Sequence, residues 1–327
     1  MKQFEYSKTR DTSTAVAEAG DTRQFIAGGT TLIDLMKLNV ITPQTLIDIN
    51  GLPLDKVETT SDGGLKIGAL VRNSDLAHHP YVKTQFAVLS EAILAGATAQ
   101  LRNMATTGGN LLQRTRCIYF RDLVYACNKR TPGSGCAAMD GDNRTLAILG
   151  TSDHCIATNP SDMNVALTAL EATIHLQGKQ GTRTVPIGEF HVLPGSTPHI
   201  ETVLQPGELI THVTVHPMPP GAVSTYLKLR DRASYEFALA SAAIILKIEN
   251  DVISHIRLAL GGVGTKPWRA AEAENVLKGN SPSEEVFRKA AEAALADARP
   301  RAHNKFKVEL SKRCIVRALK VAVSSLQ

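Results

Sequence analysis

Between Phe4 and about Gln113, short apolar runs alternate with helix-like segments. The runs predict strands and the segments predict helices, namely strands at residues 24–27, 45–49 and 65–69 and helices at 32–38 and 86–95. Asp62-Gly63-Gly64 predicts a tight turn, and we expect Asn73 or Ser74 to cap a helix that begins near Asp75. This part of the chain therefore has an α+β or α/β pattern with glycine-rich turns.

Residues 114–158 interrupt the pattern, because clustered glycines, prolines and aspartates leave almost no periodic segment. A long irregular stretch inside a compact domain is usually functional or disordered. Regular structure is expected to resume with a helix over residues 163–172, capped by Ser161 or Asp162, and a strand at 173–177. We therefore interpret residues 114–158 as an insertion within one domain.

The best candidate for a domain boundary is the segment Met218-Pro219-Pro220-Gly221. Beyond it the apolar pattern predicts a small three-stranded antiparallel sheet followed by two helices, with strands at 224–229, 242–249 and 252–260 and helices at 283–297 and 304–324. The chain thus predicts two domains, residues 1–220 and 221–327. Cys314 lies on the apolar face of the last predicted helix, so we expect it to be a core residue.

The composition and charge of the chain argue against several classes of function. Of the 327 residues, 43% are hydrophobic and 20% are charged, which is ordinary for a globular protein. The net charge of +5 is too weak and too evenly spread to indicate nucleic-acid binding. The first twenty residues lack an apolar core and no window of about 18 apolar residues occurs, so we expect neither an export signal nor a membrane span on this chain.

Two glycine-rich segments are candidate cofactor loops. The first is Ile26-Ala27-Gly28-Gly29-Thr30-Thr31-Leu32, between a predicted strand and a predicted helix, and the second is Thr106-Thr107-Gly108-Gly109-Asn110. Consecutive glycines let backbone N–H groups approach a pyrophosphate closely, although such a turn taken alone is often only a turn. Neither segment matches Gly-x-Gly-x-x-Gly, so the pattern disfavours a nicotinamide-binding Rossmann site.

Four of the five cysteines, Cys117, Cys127, Cys136 and Cys155, lie within the insertion with the spacing C-x9-C-x8-C-x18-C. A chain of this length builds a core without disulfides, which favours metal binding. Structural zinc sites usually contain a closely spaced cysteine pair, and none is present here. Four soft thiolates suit a [4Fe–4S] cluster, with zinc or unligated thiols as the alternatives.

The order of these motifs, continued by Pro160-Ser161-Asp162, Lys228 and Gly261-Gly262-Val263, resembles the FAD subunits of the xanthine dehydrogenase and carbon monoxide dehydrogenase family. The resemblance covers essentially the whole chain and is strongest to the FAD-binding subunits of bacterial periplasmic aldehyde oxidoreductases. It implies an α+β fold. The first domain would be a two-lobed FAD-binding domain of the PCMH or vanillyl-alcohol-oxidase type, and the second would resemble the carbon monoxide dehydrogenase flavoprotein C-terminal domain.

The resemblance also implies which residues hold the cofactors. Residues Ile26 to Leu32 would bind the FAD pyrophosphate, Thr106, Gly109 and Asn110 would hold its other side, and Asp162 would accept hydrogen bonds from its hydroxyls. Lys228 and Phe237 would lie near the flavin ring; a solvated strand-edge lysine and a core phenylalanine are the alternative interpretations. The four cysteines of the insertion would bind [4Fe–4S], as in the aldehyde oxidoreductase and 4-hydroxybenzoyl-CoA reductase branches. Basic residues Arg114, Arg116, Arg121, Lys129 and Arg130 would offset its charge.

As for activity, the resemblance implies a three-subunit molybdenum enzyme that oxidises aldehydes to carboxylic acids on a partner's molybdopterin centre. Electrons would pass through [2Fe–2S] clusters of a second partner to the FAD and then to an external acceptor, with NAD the least expected acceptor. The complex would be periplasmic through a partner's export signal; a cytoplasmic complex is the alternative. We expect no catalytic acid, base or nucleophile on this chain. A stand-alone flavin oxidase and a zinc-bearing assembly module are the rival functions.

Overall fold

Three β-sheets organise the computed structural model, which describes residues 1–326. The first lobe contains a parallel sheet with the strand order β1-β3-β2. Its elements are β1 (Glu5–Lys8), α1 (Thr12–Glu18), β2 (Arg23–Ile26), α2 (Leu32–Lys37) and β3 (Thr45–Asp48). All four residues of the central strand β3 are buried. This buried strand pairs with β2 along the length of β2 and so fixes the point at which β2 ends.

The second lobe is built on an antiparallel sheet with the strand order β4-β5-β8-β6-β7. Its elements are β4 (Val57–Thr59), β5 (Leu65–Gly68), α3 (Asn73–His78), α4 (Pro80–Gln85), α5 (Ala87–Ala95), α6 (Ala99–Met104), α7 (Thr107–Leu111), α8 (Ile118–Arg121), α9 (Asp162–Ala169), β6 (Thr173–Gly178), β7 (Gly181–Pro186), α10 (Ile187–Phe190) and β8 (Leu209–Val215). Alternate residues such as Leu65 and Ile67 face the helices and are fully buried.

The C-terminal unit has an antiparallel sheet with the order β12-β11-β10-β9, covered by helices. Its elements are β9 (Val223–Leu229), β10 (Ala240–Glu249), β11 (Val252–Gly261), β12 (Trp268–Arg269), α11 (Ala271–Leu277), α12 (Glu284–Ala294) and α13 (Phe306–Ser324). Strand β10 is apolar on both faces because Ala243 and Ile245 join the core of the second lobe while Ile244 and Leu246 pack beneath the helices. This shared strand holds the C-terminal unit firmly against the rest of the chain.

Most of the expected elements are confirmed, with ends that move by one to a few residues. The α+β architecture and the C-terminal sheet with its helices are confirmed, although the sheet has a fourth strand, β12, that was not predicted. The predicted cap of the helix near Asp75 is wrong: the helix begins at Asn73, and the preceding Arg72 makes no side-chain cap bond. Cys314 is buried as expected. Among the helices of residues 1–326, none combines the length and the apolar character that crossing a membrane requires.

The insertion contains one short helix, α8, and joins the C-terminal unit through backbone contacts. Ile148 and Leu149 both donate hydrogen bonds to the carbonyl of Val263, at 2.8 and 3.0 Å. The fully buried Lys307 extends from α13 and donates to the carbonyl of Leu146 at 2.9 Å and to that of Gly262. Burial lowers the pKa of Lys307 to about 7. An ammonium group therefore links the insertion to the turn after β11.

The pKa of Lys307 gives the stability of the protein a specific pH dependence. The folded-state value of about 7 lies below the ordinary value of 10.5, so between them the unfolded chain binds more protons and the free energy of unfolding rises with pH. The expected slope is at most about 1.4 kcal/mol per pH unit. Urea unfolding should show that this rise between pH 7 and pH 10 is lost in Lys307→Met. An identical pH dependence in the variant would contradict the assignment.

Candidate functional site

A cleft runs between the two lobes, the insertion and the C-terminal unit. It consists of a large chamber of about 420 Å³ and a small chamber of about 210 Å³. The two chambers adjoin, because Thr115, Thr158, Asn159 and Pro160 line both of them. The cleft thus consists of two adjoining chambers at the junction of several parts of the fold, which is a common location for a bound ligand.

The first glycine loop, residues 26–32, lines the large chamber along its whole length. It leaves the carboxyl end of β2 and enters α2. Gly29 has φ +70°, a left-handed conformation that favours glycine. At Gly28 the loop touches the backbone at the end of α6, where an added Cβ would lie 1.9 Å from the carbonyl oxygen of Met104. Both glycines are therefore required by the local geometry.

Five consecutive backbone N–H groups of this loop, those of residues 28–32, have no hydrogen-bond acceptor within the described residues 1–326. The helical ladder begins only at Ile33, whose N–H bonds to the carbonyl of Gly29 at 3.0 Å. Unpaired N–H groups in a tight turn suit the oxygens of a phosphate or pyrophosphate. The residues present therefore fit the pyrophosphate of a dinucleotide cofactor.

Two side chains from other elements fix the position of this loop. Asn50 donates from Nδ2 to the carbonyl of Ala27 at 3.1 Å, and its Oδ1 accepts from Arg72 Nη2 at 3.0 Å. Arg72 also donates to the carbonyl of Met104. One chain of hydrogen bonds thus joins the first glycine loop to the end of α6.

The second glycine loop, residues 106–110, faces the large chamber from the other side through Thr106 and Gly109. Four of its five N–H groups are already used within the protein: that of Gly109 bonds to Thr106 Oγ1 at 3.2 Å, and those of Thr107, Gly108 and Asn110 bond to the carbonyls of Val71, Ala69 and Thr106. This loop therefore offers a ligand its surface and its threonine rather than a row of free N–H groups.

Asn110 does not line either chamber. Its Oδ1 accepts a hydrogen bond from Ser161 Oγ at 2.7 Å, and Ser161 in turn caps α9 by accepting from the N–H of Asn164 at 3.1 Å. Of the two caps predicted for this helix, Ser161 is the one observed, while Asp162 is the first helical residue. Asn110 thus links the second loop to the start of α9.

Asp162 lines the small chamber and is held from behind. Its Oδ2 accepts from Lys228 Nζ at 2.8 Å and its Oδ1 accepts from the hydroxyl of Tyr226 at 2.6 Å. Only 4% of the Lys228 side chain is exposed, so the alternative of a solvated lysine is wrong. Lys228 lines neither chamber and can act on a ligand there only through Asp162.

Phe237 also lines the small chamber. It is 41% exposed, so the alternative of a core phenylalanine is wrong. The guanidinium of Arg116 lies 5.2 Å from the centre of its ring, in cation–π geometry. The small chamber thus has a carboxylate on one side and an aromatic ring on another.

The four cysteines of the insertion share one hydrophobic cluster with Leu35 of α2. Cys117, Cys127 and Cys155 are buried, and Cys136 is partly buried. Cys155 lines the large chamber and Cys117 lines the small one. The cysteine cluster therefore packs directly behind the helix that follows the first glycine loop.

Burial raises the pKa of the Cys117 thiol to about 12, while the nearby backbone N–H groups of Phe120 and Tyr119 oppose the rise. Burial likewise raises the pKa of Cys136 and Cys155. Among residues 1–326, no group of three or more Cys, His, Asp or Glu side chains is arranged so that it could hold a metal ion. The four sulfurs share one buried neighbourhood without converging on a single-ion site.

Four of the five basic residues that were expected to offset the cluster charge have carboxylate partners. Arg116 and Arg121 pair with Asp34 of α2, and Arg114 and Lys129 pair with Glu201. Arg130 instead donates to backbone carbonyls, including that of Phe120 at 2.8 Å. These cations therefore attach the insertion to both walls of the cleft, and because four of them share two carboxylates, a net positive charge remains beside the cysteines.

His191 is a cleft residue that the sequence analysis missed. It is buried and lines the large chamber, and its Nε2 donates to the carbonyl of Leu111 at 2.9 Å. Burial lowers its pKa to about 4, so the imidazole is neutral at pH 7. Tyr226 was also missed. Neither residue belongs to a local motif, so only tertiary contacts single them out.

Comparison with known proteins accounts for nearly the whole chain. Residues 2–218 match the family described as "FAD binding domain in molybdopterin dehydrogenase", and residues 224–322 match "CO dehydrogenase flavoprotein C-terminal domain". The gap between the two matched regions lies around the connection from β8 to β9.

Individual relatives agree with these matches. The chain is 51% identical over 322 residues to the aldehyde oxidoreductase FAD-binding subunit PaoB of Escherichia coli K12, and the match covers 98% of each chain. It is 31% identical over 288 residues to the glyceraldehyde dehydrogenase medium chain of Sulfolobus acidocaldarius, covering 88% of this chain and 85% of that one. The solved carbon monoxide dehydrogenase of Hydrogenophaga pseudoflava matches with a TM-score of 0.78 at 26% identity, covering 99% and 98%.

The contact at Gly28 predicts the effect of a single methyl group. Gly28→Ala should force the first glycine loop away from the end of α6, destabilise the protein by about 1–3 kcal/mol and reduce the FAD retained after purification. Thermal unfolding and released flavin measure both effects. Gly188→Ala is the matched control, because nothing lies within 4 Å of its added Cβ. Full FAD retention in Gly28→Ala would show that the loop does not bind the cofactor as described.

Proposed function

Because the chain belongs to the FAD-binding subunits of the molybdenum hydroxylase family, we propose that it is the FAD-carrying electron-transfer subunit of an aldehyde oxidoreductase. In this proposal residues 1–220 form the FAD-binding domain and residues 221–327 form a second domain that completes the small chamber. The choice of aldehydes as the substrate class follows the 51% identity to an aldehyde oxidoreductase subunit.

The observation that carries the proposal is the row of N–H groups at residues 28–32, which have no acceptor among the described residues and face a cleft of two adjoining chambers. We assign the pyrophosphate of FAD to this loop, Ile26 to Leu32, because its partial positive charges have no other acceptor. Thr106 and Gly109 would contact the cofactor from the opposite wall. Asn110 would support them through its bond to Ser161.

The small chamber would receive the flavin end of the cofactor. Asp162 would accept hydrogen bonds from cofactor hydroxyls, with Lys228 holding its carboxylate from behind. Phe237 would flank the ring system. When bound, FAD supplies the ability to take up electron pairs and release them to an acceptor, and the chain's residues contribute binding, orientation and shielding from water.

We further propose that Cys117, Cys127, Cys136 and Cys155 bind a [4Fe–4S] cluster. Four thiols in one cluster, with the backbone N–H of Ala157 donating to Cys155 Sγ at 3.4 Å, are donors that such a cluster requires. A cubane distributes its four ligands over four iron atoms, whereas zinc needs all of them around one ion. The spacing C-x9-C-x8-C-x18-C, which contains no closely spaced cysteine pair, is our reason for preferring the cluster to zinc.

The remaining parts of the reaction belong to partners in this proposal. A large subunit would hold the molybdopterin and oxidise the aldehyde, and a small subunit would hold [2Fe–2S] clusters that deliver electrons to this chain. The complex would be periplasmic and would pass electrons to an external acceptor other than NAD. No residue of this chain acts on the aldehyde; His191, the buried imidazole in the cleft, is neutral and already bonded to Leu111.

Anaerobic reduction distinguishes an electron-transfer subunit from a self-sufficient oxidase. An aromatic aldehyde added to the purified complex should bleach the flavin absorption within the time of turnover, whereas the same addition to this chain alone should leave it unchanged. Dithionite should bleach both samples, which controls for a damaged flavin. Bleaching of the isolated chain by aldehyde would favour a stand-alone oxidase. NAD as sole acceptor should give no turnover.

The cysteine assignment predicts a selective loss of iron. Cys117→Ser and Cys155→Ser should each lower the iron and acid-labile sulfide of the anaerobically purified chain well below the native content, because a cubane loses one of four thiolate ligands. Cys314→Ser is the matched control: it removes an equally buried thiol of the C-terminal core, outside the insertion. Equal iron in all three variants, or zinc in place of iron, would contradict the cluster.

A further inference from the structure

We propose that Tyr226 is a positioning residue for the flavin cofactor, because its hydroxyl fixes the carboxylate of Asp162 that faces the small chamber. This inference rests on the proposed FAD function and adds a residue outside both glycine loops and the cysteine cluster. Tyr226 lines neither chamber, so it acts through Asp162 and does not touch the cofactor itself.

The contacts of Asp162 are divided between two donors. The hydroxyl of Tyr226 lies 2.6 Å from Oδ1, and Lys228 Nζ lies 2.8 Å from Oδ2. Lys228 shares its ammonium with the carbonyl of Ala95 at 3.1 Å. Two donors on two different oxygens set the orientation of a carboxylate plane, whereas a single flexible lysine leaves that plane free to rotate.

The tyrosine ring is itself held rigidly. The backbone N–H of Tyr226 donates to Glu91 Oε2 at 2.7 Å, and Tyr226 is paired with Ala243 in the register of β9 and β10. The hydroxyl lies 2.8 Å from Ser241 Oγ, which orients it toward Asp162. Burial, followed by the charge of Asp162, raises the pKa of Tyr226 well above 10, so the hydroxyl is protonated and can donate at neutral pH.

Removal of this hydroxyl should weaken FAD binding without removing any group that contacts FAD. Loss of this hydrogen bond would leave a buried carboxylate with one donor in place of two. We expect roughly tenfold weaker FAD binding in Tyr226→Phe, because only part of the energy of a hydrogen bond to a charged group is used to orient Asp162 for the ligand.

The test is an FAD titration of the full-length chain after its flavin has been removed, followed by quenching of flavin fluorescence. Tyr81→Phe is the matched control, since it removes a tyrosine hydroxyl that bonds to the carbonyl of Gly63 at 2.8 Å, away from the cleft. Its affinity for FAD should equal that of the native chain. Ser241→Ala, which removes the group that orients Tyr226, should give a smaller loss in the same direction and remains informative if Tyr226→Phe folds poorly.

A double-mutant cycle separates positioning from general destabilisation. If Tyr226 acts through Asp162, Tyr226→Phe should have no further effect on FAD affinity in an Asp162→Ala background, which has no side-chain oxygen for the tyrosine hydroxyl to bond. Equal losses in the two backgrounds would overturn the inference, and so would native affinity in Tyr226→Phe. Failure of the native chain to bind FAD would instead overturn the proposed function itself, so the two failures are distinguishable.

Discussion

The contact between the backbone of Gly28 and the carbonyl of Met104 is the constraint on which the cleft depends. No side chain fits between the first glycine loop and the end of α6, so the loop lies directly against the second lobe. The N–H groups of residues 28–32 have no acceptor among the described residues. Arg72 and Asn50 secure the same contact with hydrogen bonds from both sides. A preformed row of donors follows, and a pyrophosphate can bind there without first breaking bonds within the protein.

The insertion is coupled to this site through α2. Leu35 belongs to the same hydrophobic cluster as the four cysteines, and Asp34, one residue earlier, pairs with Arg116 and Arg121 of the insertion. The cysteine cluster is therefore in direct contact with the helix that starts at the first glycine loop. On the other side, Lys307 and Val263 bind the insertion to the C-terminal unit. The insertion thus connects the three parts that surround the cleft.

The local chemistry of the site could be predicted from the sequence, because a glycine loop, a helix cap and a cysteine spacing are each defined by residues that lie near one another in the chain. The first glycine loop, Ser161 as a cap and Asp162 at the start of α9 all have such signals. Tyr226, Asn50 and His191 had none, since their roles arise from bonds to residues far away in the chain, as in the pair Tyr226 and Asp162. Lys228 was expected next to the flavin, but in the structure Asp162 lies between Lys228 and the small chamber. The pattern of apolar and polar residues does not show which of two neighbouring side chains faces a cleft.

The central claim is that this chain holds one FAD in the cleft and one iron–sulfur cluster in the insertion. Its most direct test is the visible absorption spectrum of the anaerobically purified chain, with flavin, iron, sulfide and zinc quantified on the same sample. The account predicts flavin bands over a broad iron–sulfur shoulder, with about one FAD and four irons per chain. Flavin with zinc and no iron would remove the cluster, and a colourless preparation with neither flavin nor iron would contradict the account as a whole.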